Sequence, residues 1–333
     1  MSKTRIFDLH CDTLDRLALY GSPLVDFTDY GRGAPRERMA SLYDNDGHIS
    51  LNRMQDLAYC QCFAAFIPDG LSLAESWYVF ETARKFLETQ CKTYAPYVKQ
   101  IRDAHDIMGA LTQDQCAAML TVEGGSFLAP EEGCDEERIE EIYFAGVKML
   151  TLTWNADNAI GSGHKTHDGL SSFGRRAVKS LEEHRIVVDV SHLNDEGFRD
   201  VAMMAQRPFV ASHSNARSIC GHVRNLTDEQ IKTLVSCEGL IGVNYYNNFI
   251  SETHAQPTPE DLLWHVDHML ELGGEHVLAL GSDYDGSDVP NWLCPAEKCG
   301  TLHHLFASEF GQTVADDICF NNAHRFFVRN EEK

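Results

Sequence analysis

Short, continuous apolar segments alternate along the chain with longer segments in which apolar residues recur every three to four positions. The short segments are typical of buried parallel strands, and the longer ones are typical of amphipathic helices. The pattern predicts strands over residues 5–10, 58–66, 117–123, 147–153, 186–191, 208–212, 239–245 and 277–283. It predicts helices over residues 74–91, 136–145, 171–184 and 259–272, and a further helix that begins at Thr227.

Strands that alternate with helical crossovers favour an α/β fold of the (β/α)8, TIM-like barrel type. The alternation never breaks, and no linker rich in proline, glycine or serine divides the chain, so we predict a single barrel domain over residues 1–333. Two long irregular segments, near residues 21–50 and 284–300, follow the first and the last strand. Long loops of compact domains tend to be functional, and both are expected on the C-terminal face of the barrel.

Composition and charge restrict the possible partners. The chain has 333 residues and a formal net charge of −22, which repels nucleic-acid phosphates and anionic lipid, so we expect neither nucleic acid nor a membrane as partner. No apolar segment reaches the ~18–20 residues that span a bilayer. The eleven cysteines are scattered without a CxxC spacing, which favours a reducing compartment. Because the N-terminal segment also lacks a secretory signal pattern, we expect a cytoplasmic protein.

Histidine, aspartate and glutamate residues, whose side chains can bind metal ions, lie at or just beyond the ends of five predicted strands. The carboxyl ends of parallel strands meet at one face of a barrel, where such enzymes carry their chemistry. We therefore expect these side chains to converge, and imidazole and carboxylate groups are ligands of zinc. The set consists of His10, Asp12, Glu123, His192, His213 and Asp283.

The spacing of these residues indicates two ions. His10 and Asp12 are two positions apart, so in an extended backbone both side chains point the same way and can bind one ion. Asp12 could instead cap a helix that starts at the next residue. Glu123 has two carboxylate oxygens and can bridge to a second ion, which His192 and His213 would bind from neighbouring strands. Three protein ligands per ion leave open positions for water, as in catalytic zinc sites.

Two ions ~3.5–4 Å apart would share a bridging water and lower its pKa toward neutrality. Asp283, at the end of the last strand, is the predicted general base or proton shuttle, and Asp285 is expected to support it or to face solvent. Serines flank both His192 and His213, which leaves a serine hydrolase as an alternative. The chain contains no G-x-S-x-G elbow, so this alternative ranks low.

Five motifs surround the residues of this set, in order along nearly the whole chain: DLHCD at 8–12, TVEG at 121–124, VDVSH at 188–192, SHSNAR at 212–217 and GSDYDG at 281–286. Together they resemble the renal (membrane) dipeptidase family of zinc peptidases, family M19 of the metallo-dependent hydrolase superfamily. The resemblance implies a barrel of the metallo-dependent hydrolase type with two Zn²⁺ ions. It assigns His10 and Asp12 to one zinc, His192 and His213 to the other, Glu123 to the bridge between them, and Asp283 to proton transfer.

The resemblance also implies how substrate is bound. Arg224, directly before Asn225, matches an arginine that grips the substrate carboxylate, and Tyr246 matches a residue that lines the substrate pocket.

One departure from the family pattern follows the fourth predicted strand. Mammalian members carry a substrate-contacting histidine there, whereas this chain has Trp154 and Asn155, which we assign to substrate binding. His164 and His167 follow in a glycine-rich loop, and either could replace the missing histidine.

These features predict a zinc-dependent dipeptidase that cleaves L-Xaa-L-Xaa or L-Xaa-D-Xaa dipeptides through a metal-bridging hydroxide. A homodimer is expected from the resemblance alone. Three alternatives stay open: another binuclear amidohydrolase activity, such as lactam or cyclic amide hydrolysis, a native metal other than zinc, and a metal-binding protein without turnover. Many amidohydrolases of this kind use a carboxylated lysine after the fourth strand, where this chain has Thr153 and Trp154.

Overall fold

The computed structural model describes residues 3–25, 41–130 and 136–332. Within them, nine strands form one sheet. The strands are β1 Thr4–Cys11, β2 Leu57–Phe66, β3 Val98–Gln100, β4 Cys116–Glu123, β5 Val147–Thr151, β6 Val187–Asp189, β7 Val210–Ala211, β8 Leu240–Val243 and β9 Leu278–Leu280.

Eight of these strands close into a parallel barrel. β1 pairs with β2, β2 with β4, and the pairing continues through β5, β6, β7 and β8 to β9, which returns to β1. The short strand β3 pairs with the first residues of β4, ahead of those that pair with β5. The closed parallel ring confirms the predicted (β/α)8 fold.

All eight predicted strands are present, and most of them are shorter at their carboxyl ends than predicted. The prediction over 186–191 corresponds to Val187–Asp189, and that over 277–283 corresponds to Leu278–Leu280. Three residues beyond these two strands the backbone adopts positive φ, 71° at His192 and 60° at Asp283, which is incompatible with a strand that continues to those residues. Residues that the apolar pattern predicts as the last part of a strand therefore lie in loops, and these loops carry polar side chains. The short strand β3 was not predicted.

Helices cover the barrel between the strands. They are α1 Thr13–Ala18, α2 Leu73–Thr93, α3 Ile107–Thr112, α4 Glu136–Ala145, α5 Ser172–Glu183, α6 Asp195–Met204, α7 Asp228–Ser236, α8 Asn247–Ile250, α9 Pro259–Glu271, α10 Cys299–Phe310, α11 Gln312–Asp316 and α12 Asn322–Glu332, with a π-helical segment at Asp317–Asn321. The side chain of Ser171 caps α5, and Thr227 and Gln230 form a capping box at α7, as the sequence predicts. Gly273, with φ 93°, follows α9 and ends it.

One end of the barrel is closed by the C-terminal helix. Inward-facing strand residues such as Phe7, Met119 and Val187 form a buried cluster with Phe320, Phe326 and Phe327. The rings of Phe7 and Phe327 stack with centroids 5.5 Å apart. Because this end is filled by aromatic side chains, a functional site has to lie at the opposite, carboxyl end of the strands.

The two long loops contribute to that open end. Pro23 and Leu24 of the first loop and residues 285–288 of the second line a cleft there. Residues 26–40 of the first predicted loop lie outside the described residues. In the part of the chain that the structure describes, no helix combines the length and the apolar character needed to cross a membrane.

Candidate metal centre

Three imidazoles and two carboxylates meet at the carboxyl end of the barrel. Nε2 of His192 lies 2.8 Å from Oε1 of Glu123, and Nε2 of His213 lies 3.5 Å from the same oxygen. Nε2 of His10 lies 3.7 Å from Oε2 of Glu123 and 3.5 Å from Oδ2 of Asp12. All five side chains are buried. The structure therefore brings together the five residues that the sequence predicts as metal ligands.

Asp12 stands where β1 gives way to α1. The strand ends at Cys11, and Asp12 occupies the N-cap position of the helix, where aspartate commonly accepts a hydrogen bond from the first turn. Its side chain makes no such bond. Oδ1 of Asp12 is buried and has no hydrogen-bond partner among the described residues. Helix capping does not account for this carboxylate, which is available to the cluster.

Glu123 is the last residue of β4, and the glycine that follows it fixes the local path of the chain. Gly124 has φ 93°, and a Cβ there would lie 2.8 Å from the carbonyl oxygen of Ile67. The carbonyl oxygen of Glu123 accepts a hydrogen bond of 2.8 Å from the amide of Ile67. Only glycine combines this conformation with so close an approach. The tight crossing holds the Glu123 carboxylate over the open end of the barrel.

His192 and His213 follow the neighbouring strands β6 and β7, and each ring is oriented through its Nδ1 atom. Nδ1 of His192 lies 2.9 Å from Oδ1 of Asn155, and Nδ1 of His213 lies 2.8 Å from Oγ of Ser212. Both Nε2 atoms consequently face Glu123, and they are 3.0 Å apart. Asn155, which the sequence predicts as a substrate-binding residue, is thus also the hydrogen-bond partner of a predicted metal ligand.

Burial and mutual repulsion shift the pKa values of this cluster. Burial lowers the pKa of His192 and of His213 well below the ordinary value, and the nearby Arg224 charge adds to the effect. Burial raises the pKa of Glu123 well above its usual range, and the Asp12 carboxylate raises it further. Burial also opposes the charge on His10, but the carboxylates of Glu123 and Asp12 outweigh it and raise the pKa of His10 to about 10.

The donor atoms of the cluster fit divalent cations. Nε2 of His10 and Oδ1 of Asp12 are buried without hydrogen-bond partners among the described residues, which is costly unless another group satisfies them. Candidate ligand atoms of His10, Glu123 and His213 lie within 4.8 Å of one another, as do those of His10, Asp12 and Asp283. Imidazole nitrogen and carboxylate oxygen at this spacing are a donor set that suits zinc.

Asp283 borders the cluster on a strained turn, with φ 60°. Its Oδ2 accepts a long hydrogen bond of 3.4 Å from Nδ2 of Asn244. Burial and the Asp12 carboxylate raise the pKa of Asp283 to about 6. A Cβ at Gly286 would overlap both Asp12 Oδ2 and Asp283 Oδ1. The absence of a side chain at Gly286 is therefore what lets these two carboxylates approach each other.

Asp285 is buried and supports the loop that carries Asp283, which is the first of the two roles that the sequence analysis considers for it. Its Oδ2 accepts a hydrogen bond of 2.7 Å from the hydroxyl of Thr13, and its Oδ1 accepts one of 2.8 Å from the amide of His48. These contacts join the loop after β9 to α1 and to the loop that precedes β2.

A cleft of about 730 Å³ opens over the cluster. It is lined by all four residues that the sequence predicts to bind substrate, namely Arg224, Tyr246, Trp154 and Asn155. Nε and Nη2 of Arg224 are buried and have no hydrogen-bond partner in the described parts of the chain. Burial lowers the pKa of Arg224 to about 10, which still leaves the guanidinium charged at neutral pH. A buried cation with unused donors at a cleft is suited to bind a carboxylate.

The two histidines proposed for the glycine-rich loop lie in different environments. His164 lines the cleft, and its Nδ1 is buried without a hydrogen-bond partner among the described residues. Burial and the Arg224 charge lower the pKa of His164 to about 3, so its ring is neutral at physiological pH. His167 is exposed and is absent from the lining of the cleft. Of the two, His164 is the one placed to touch a bound molecule.

Sequence reasoning missed several residues of the cleft wall. Phe66 packs edge-to-face against Trp154 with centroids 5.0 Å apart, and Leu24 lies on the same cleft. His222 and Phe249 line it as well, and their rings are 4.5 Å apart. The position of Phe66 at the end of β2 was the available signal, because the other chemical groups also stand at strand ends. Leu24 and His222 come from loops and Phe249 comes from the four-residue helix α8, none of which periodicity places.

Comparisons with known proteins agree with this geometry. A family model described as membrane dipeptidase (peptidase family M19) matches residues 1–331. A Klebsiella pneumoniae protein from the region 5′ of pqqA is 33% identical over 222 residues, which make up 63% of this chain and 81% of that protein.

Solved structures show the same fold. A metallo peptidase from Rhodobacter sphaeroides, crystallised with a phosphinate mimic of the dipeptide L-Ala-D-Ala, superposes with a TM-score of 0.85 at 23% identity, covering 99% of this chain and 100% of that one. A dipeptidase described as a metallo peptidase of family M19 also superposes with a TM-score of 0.85, at 24% identity, covering 99% of both chains.

Proposed function

The chain belongs to the membrane dipeptidase family, peptidase family M19, as a metallo-dipeptidase, and we propose that it hydrolyses dipeptides at a centre of two zinc ions. The observation that carries this proposal is the convergence of three buried imidazoles, from three strand ends, on the two oxygens of Glu123. The Asp12 carboxylate lies beside one of them, His10. His10 and Asp12 would hold one ion, and His192 and His213 would hold the other, with Glu123 between them.

Zinc at this position would supply Lewis acidity, which polarises the scissile carbonyl and lowers the pKa of water. The protein contributes the orientation of the ligands. The Nδ1 atoms of His192 and His213 are occupied by Asn155 and Ser212, so each imidazole has its Nε2 atom left for an ion. Three protein ligands per ion leave coordination positions for substrate and water, as catalytic centres require.

Arg224 is the proposed anchor for the free C-terminal carboxylate of the substrate. Its guanidinium is buried at the cleft and has donors unused within the described residues. A carboxylate bound there would form charge-assisted hydrogen bonds and would remove the cost of burying an unpaired cation. An anchor of this kind fixes the distance between the carboxylate and the scissile bond, which favours short peptides.

Asp283 is the proposed group that moves the proton. Its carboxylate is held beside the cluster, and its pKa of about 6 lies close to neutral pH, where an acid–base group works best. It accepts a proton from the attacking water and delivers it to the leaving amine nitrogen. We expect Asp283→Asn to retain both metal ions and to lose about 10²–10⁴-fold in kcat. Retained activity in a metal-loaded Asp283→Asn variant would remove Asp283 from the mechanism.

The rival amidohydrolase activities find less support in this site. Many of them depend on a carboxylated lysine from the fourth barrel strand, which here is β5. The lysine of that strand, Lys148, donates a hydrogen bond of 2.9 Å to the carbonyl of Arg102 and pairs with Glu331 of the C-terminal helix. It therefore lies toward the closed end of the barrel, away from Glu123.

The deciding experiment is a screen of L,L- and L,D-dipeptides with metal content measured on the same protein sample. The Rhodobacter sphaeroides neighbour binds a mimic of L-Ala-D-Ala, which is a reason to include D-residues at the C-terminal position. We expect about two zinc ions per chain, release of free amino acids, and loss of that release after chelation. A loaded protein that cleaves no dipeptide but opens a lactam or a cyclic amide would favour the rival. A loaded protein that turns over neither class would leave a metal-binding role.

A further inference from the structure

A buried carboxylate lies behind the predicted ligand His213 and reaches it through one hydroxyl group. Asp189 is the last residue of β6 and is inaccessible to solvent. Its Oδ1 accepts hydrogen bonds from the amides of Ser191 and Ser212, at 3.0 and 2.9 Å. Its Oδ2 accepts hydrogen bonds from the hydroxyls of Ser212 and Thr151, each at 2.6 Å. The Ser212 hydroxyl in turn lies 2.8 Å from Nδ1 of His213.

The direction of each hydrogen bond in this chain follows from the chemistry of the groups. A carboxylate offers only acceptors, so the single hydroxyl proton of Ser212 points to Asp189. Oγ of Ser212 can then only accept from Nδ1 of His213, which must carry the proton. A neutral imidazole carries one proton, so the lone pair of His213 lies on Nε2, the atom that faces Glu123.

We propose that Asp189 is a positioning residue that acts through Ser212 and holds His213 in the tautomer that binds metal. The inference rests on the proposed metal centre, since it assigns to these residues the affinity for the ion at His192 and His213. Hydrogen bonds to the outer nitrogen of a ligand histidine typically change metal affinity by about 10–100-fold. Here the partner is an anion relayed by a serine, whereas His192 is held by the neutral amide of Asn155.

Thr151 provides a matched control for the relay. Its hydroxyl donates to the same Oδ2 of Asp189 at the same distance as Ser212 does, and both residues are buried. The bond of Thr151 leads to no ligand. Thr151→Val and Ser212→Ala each remove one hydroxyl from the same carboxylate oxygen, and only Ser212→Ala breaks the link to His213.

The isosteric variant Asp189→Asn tests the tautomer of His213 directly. Two backbone amides donate to the Oδ1 position, so the side-chain oxygen of asparagine has to remain there. Its NH2 group would then face Ser212 and donate to it. Ser212 would be free to donate to Nδ1 of His213, which would shift the imidazole proton to Nε2. The ligand atom would be blocked without any change in the shape of the site.

The test is a zinc titration of metal-free protein under competition with a chelator, together with ¹⁵N NMR of histidine-labelled, metal-free protein to identify the tautomer of His213. We expect two tight zinc sites both in wild type and in Thr151→Val. At each site, the zinc affinity of the variant should lie within about 3-fold of the wild-type affinity. We expect Ser212→Ala to weaken one site by about 10–100-fold, and Asp189→Asn to weaken the same site more than Ser212→Ala does. The NMR signals should show a protonated Nδ1 in wild type and a protonated Nε2 in Asp189→Asn.

Equal affinities in Ser212→Ala and Thr151→Val, or an Nε2-protonated His213 in wild type, would overturn the inference. Wild-type protein that takes up no metal would instead overturn the proposed function. The NMR measurement needs no metal, so it decides the direction of the hydrogen bonds in either case.

Discussion

The Nε2 atoms of His192 and His213 face each other at 3.0 Å, although neither is placed to donate a hydrogen bond to the other. Each ring uses Nδ1 as its donor, toward Asn155 and Ser212, so both Nε2 atoms present lone pairs. A proton between them is disfavoured because burial lowers the pKa of both rings. A cation that both nitrogens can bind resolves the repulsion, which is the physical reason to read this pair as half of a metal site.

Burial and the Asp12 carboxylate, which raise the pKa of Asp283, make the stability of the metal-free protein sensitive to pH. The pKa of its carboxyl is about 6 in the folded protein and 3.8 ordinarily, so the folded state binds the proton more tightly. The free energy of unfolding therefore falls as pH rises from about 4 to about 6, and the penalty is fully present above that range. We expect Asp283→Asn to raise the free energy of unfolding of metal-free protein at pH 7.5 by on the order of 1 kcal/mol. This is less than the full pKa difference corresponds to, because Asp283 is partly exposed and solvent screens its charge.

Urea unfolding of metal-free protein at pH 4.5 and pH 7.5 measures this effect. Asp285→Asn is the control two residues along the same loop. Its carboxylate accepts from Thr13 and from the amide of His48, so the replacement removes acceptors and should destabilise at pH 7.5. Destabilisation by both variants at pH 7.5 would show that Asp283 carries no electrostatic strain in the folded protein.

The sequence was sufficient to predict the groups of the candidate site that stand at strand ends. His10, Glu123, His192 and His213 each follow an apolar run, and the geometry of a parallel barrel collects such positions at one face. Their convergence in the structure agrees with that expectation. The eight strands were predictable for the same reason, whereas β3 was not, because Val98–Gln100 has only three residues and no continuous apolar run.

The remainder of the site depends on contacts between residues that are distant in sequence. Gly286 matters because its backbone passes Asp12, and Asp189 matters because its carboxylate reaches a hydroxyl on the next strand. Neither relationship follows from spacing along the chain. The single-domain organisation, the cytoplasmic location and the homodimer stay predictions.

Gly286→Ala should disable the site without unfolding the barrel. The added Cβ would overlap the carboxylate oxygens of both Asp12 and Asp283, which must move apart. We expect about a 100-fold or greater loss of kcat/KM, since a misplacement of about 1 Å at a reacting centre costs about that much, and a loss of the ion that His10 and Asp12 are proposed to hold. Gly109→Ala in α3 is the control, because a Cβ there meets nothing within 4 Å.

Metal content by atomic emission, thermal unfolding and kinetics on the same two preparations separate the effects. Gly109→Ala should keep both ions and should gain up to about 1 kcal/mol of stability from the better helix former. A Gly286→Ala enzyme with two ions and wild-type kcat/KM would show that the close approach of Asp12 and Asp283 is not needed.

His164 and His167 give opposite expectations within one loop. His164 lines the cleft with a buried Nδ1 that has no hydrogen-bond partner among the described residues, and its lowered pKa keeps the ring neutral. Loss of one substrate hydrogen bond to such a group should reduce kcat/KM by about 10–100-fold. We expect this for His164→Ala, and less than about a 2-fold change for the exposed His167→Ala. Steady-state kinetics on one dipeptide checks both, and equal effects would exclude His164 as the substrate contact.

The role of Arg224 can be isolated by changing the enzyme and the substrate together. If its guanidinium binds the C-terminal carboxylate, Arg224→Met and a dipeptide amide each remove the same interaction. We expect each change alone to lower kcat/KM by about 10²–10³-fold, as charge-assisted hydrogen bonds of about 3–4 kcal/mol require. The two changes combined should lower kcat/KM little more than either change alone, because the interaction is already absent after the first. The free energy of unfolding should fall in Arg224→Met only by the packing that the side chain loses, because burial already disfavours this cation. Strictly additive losses in the double-mutant cycle would place the carboxylate elsewhere in the cleft.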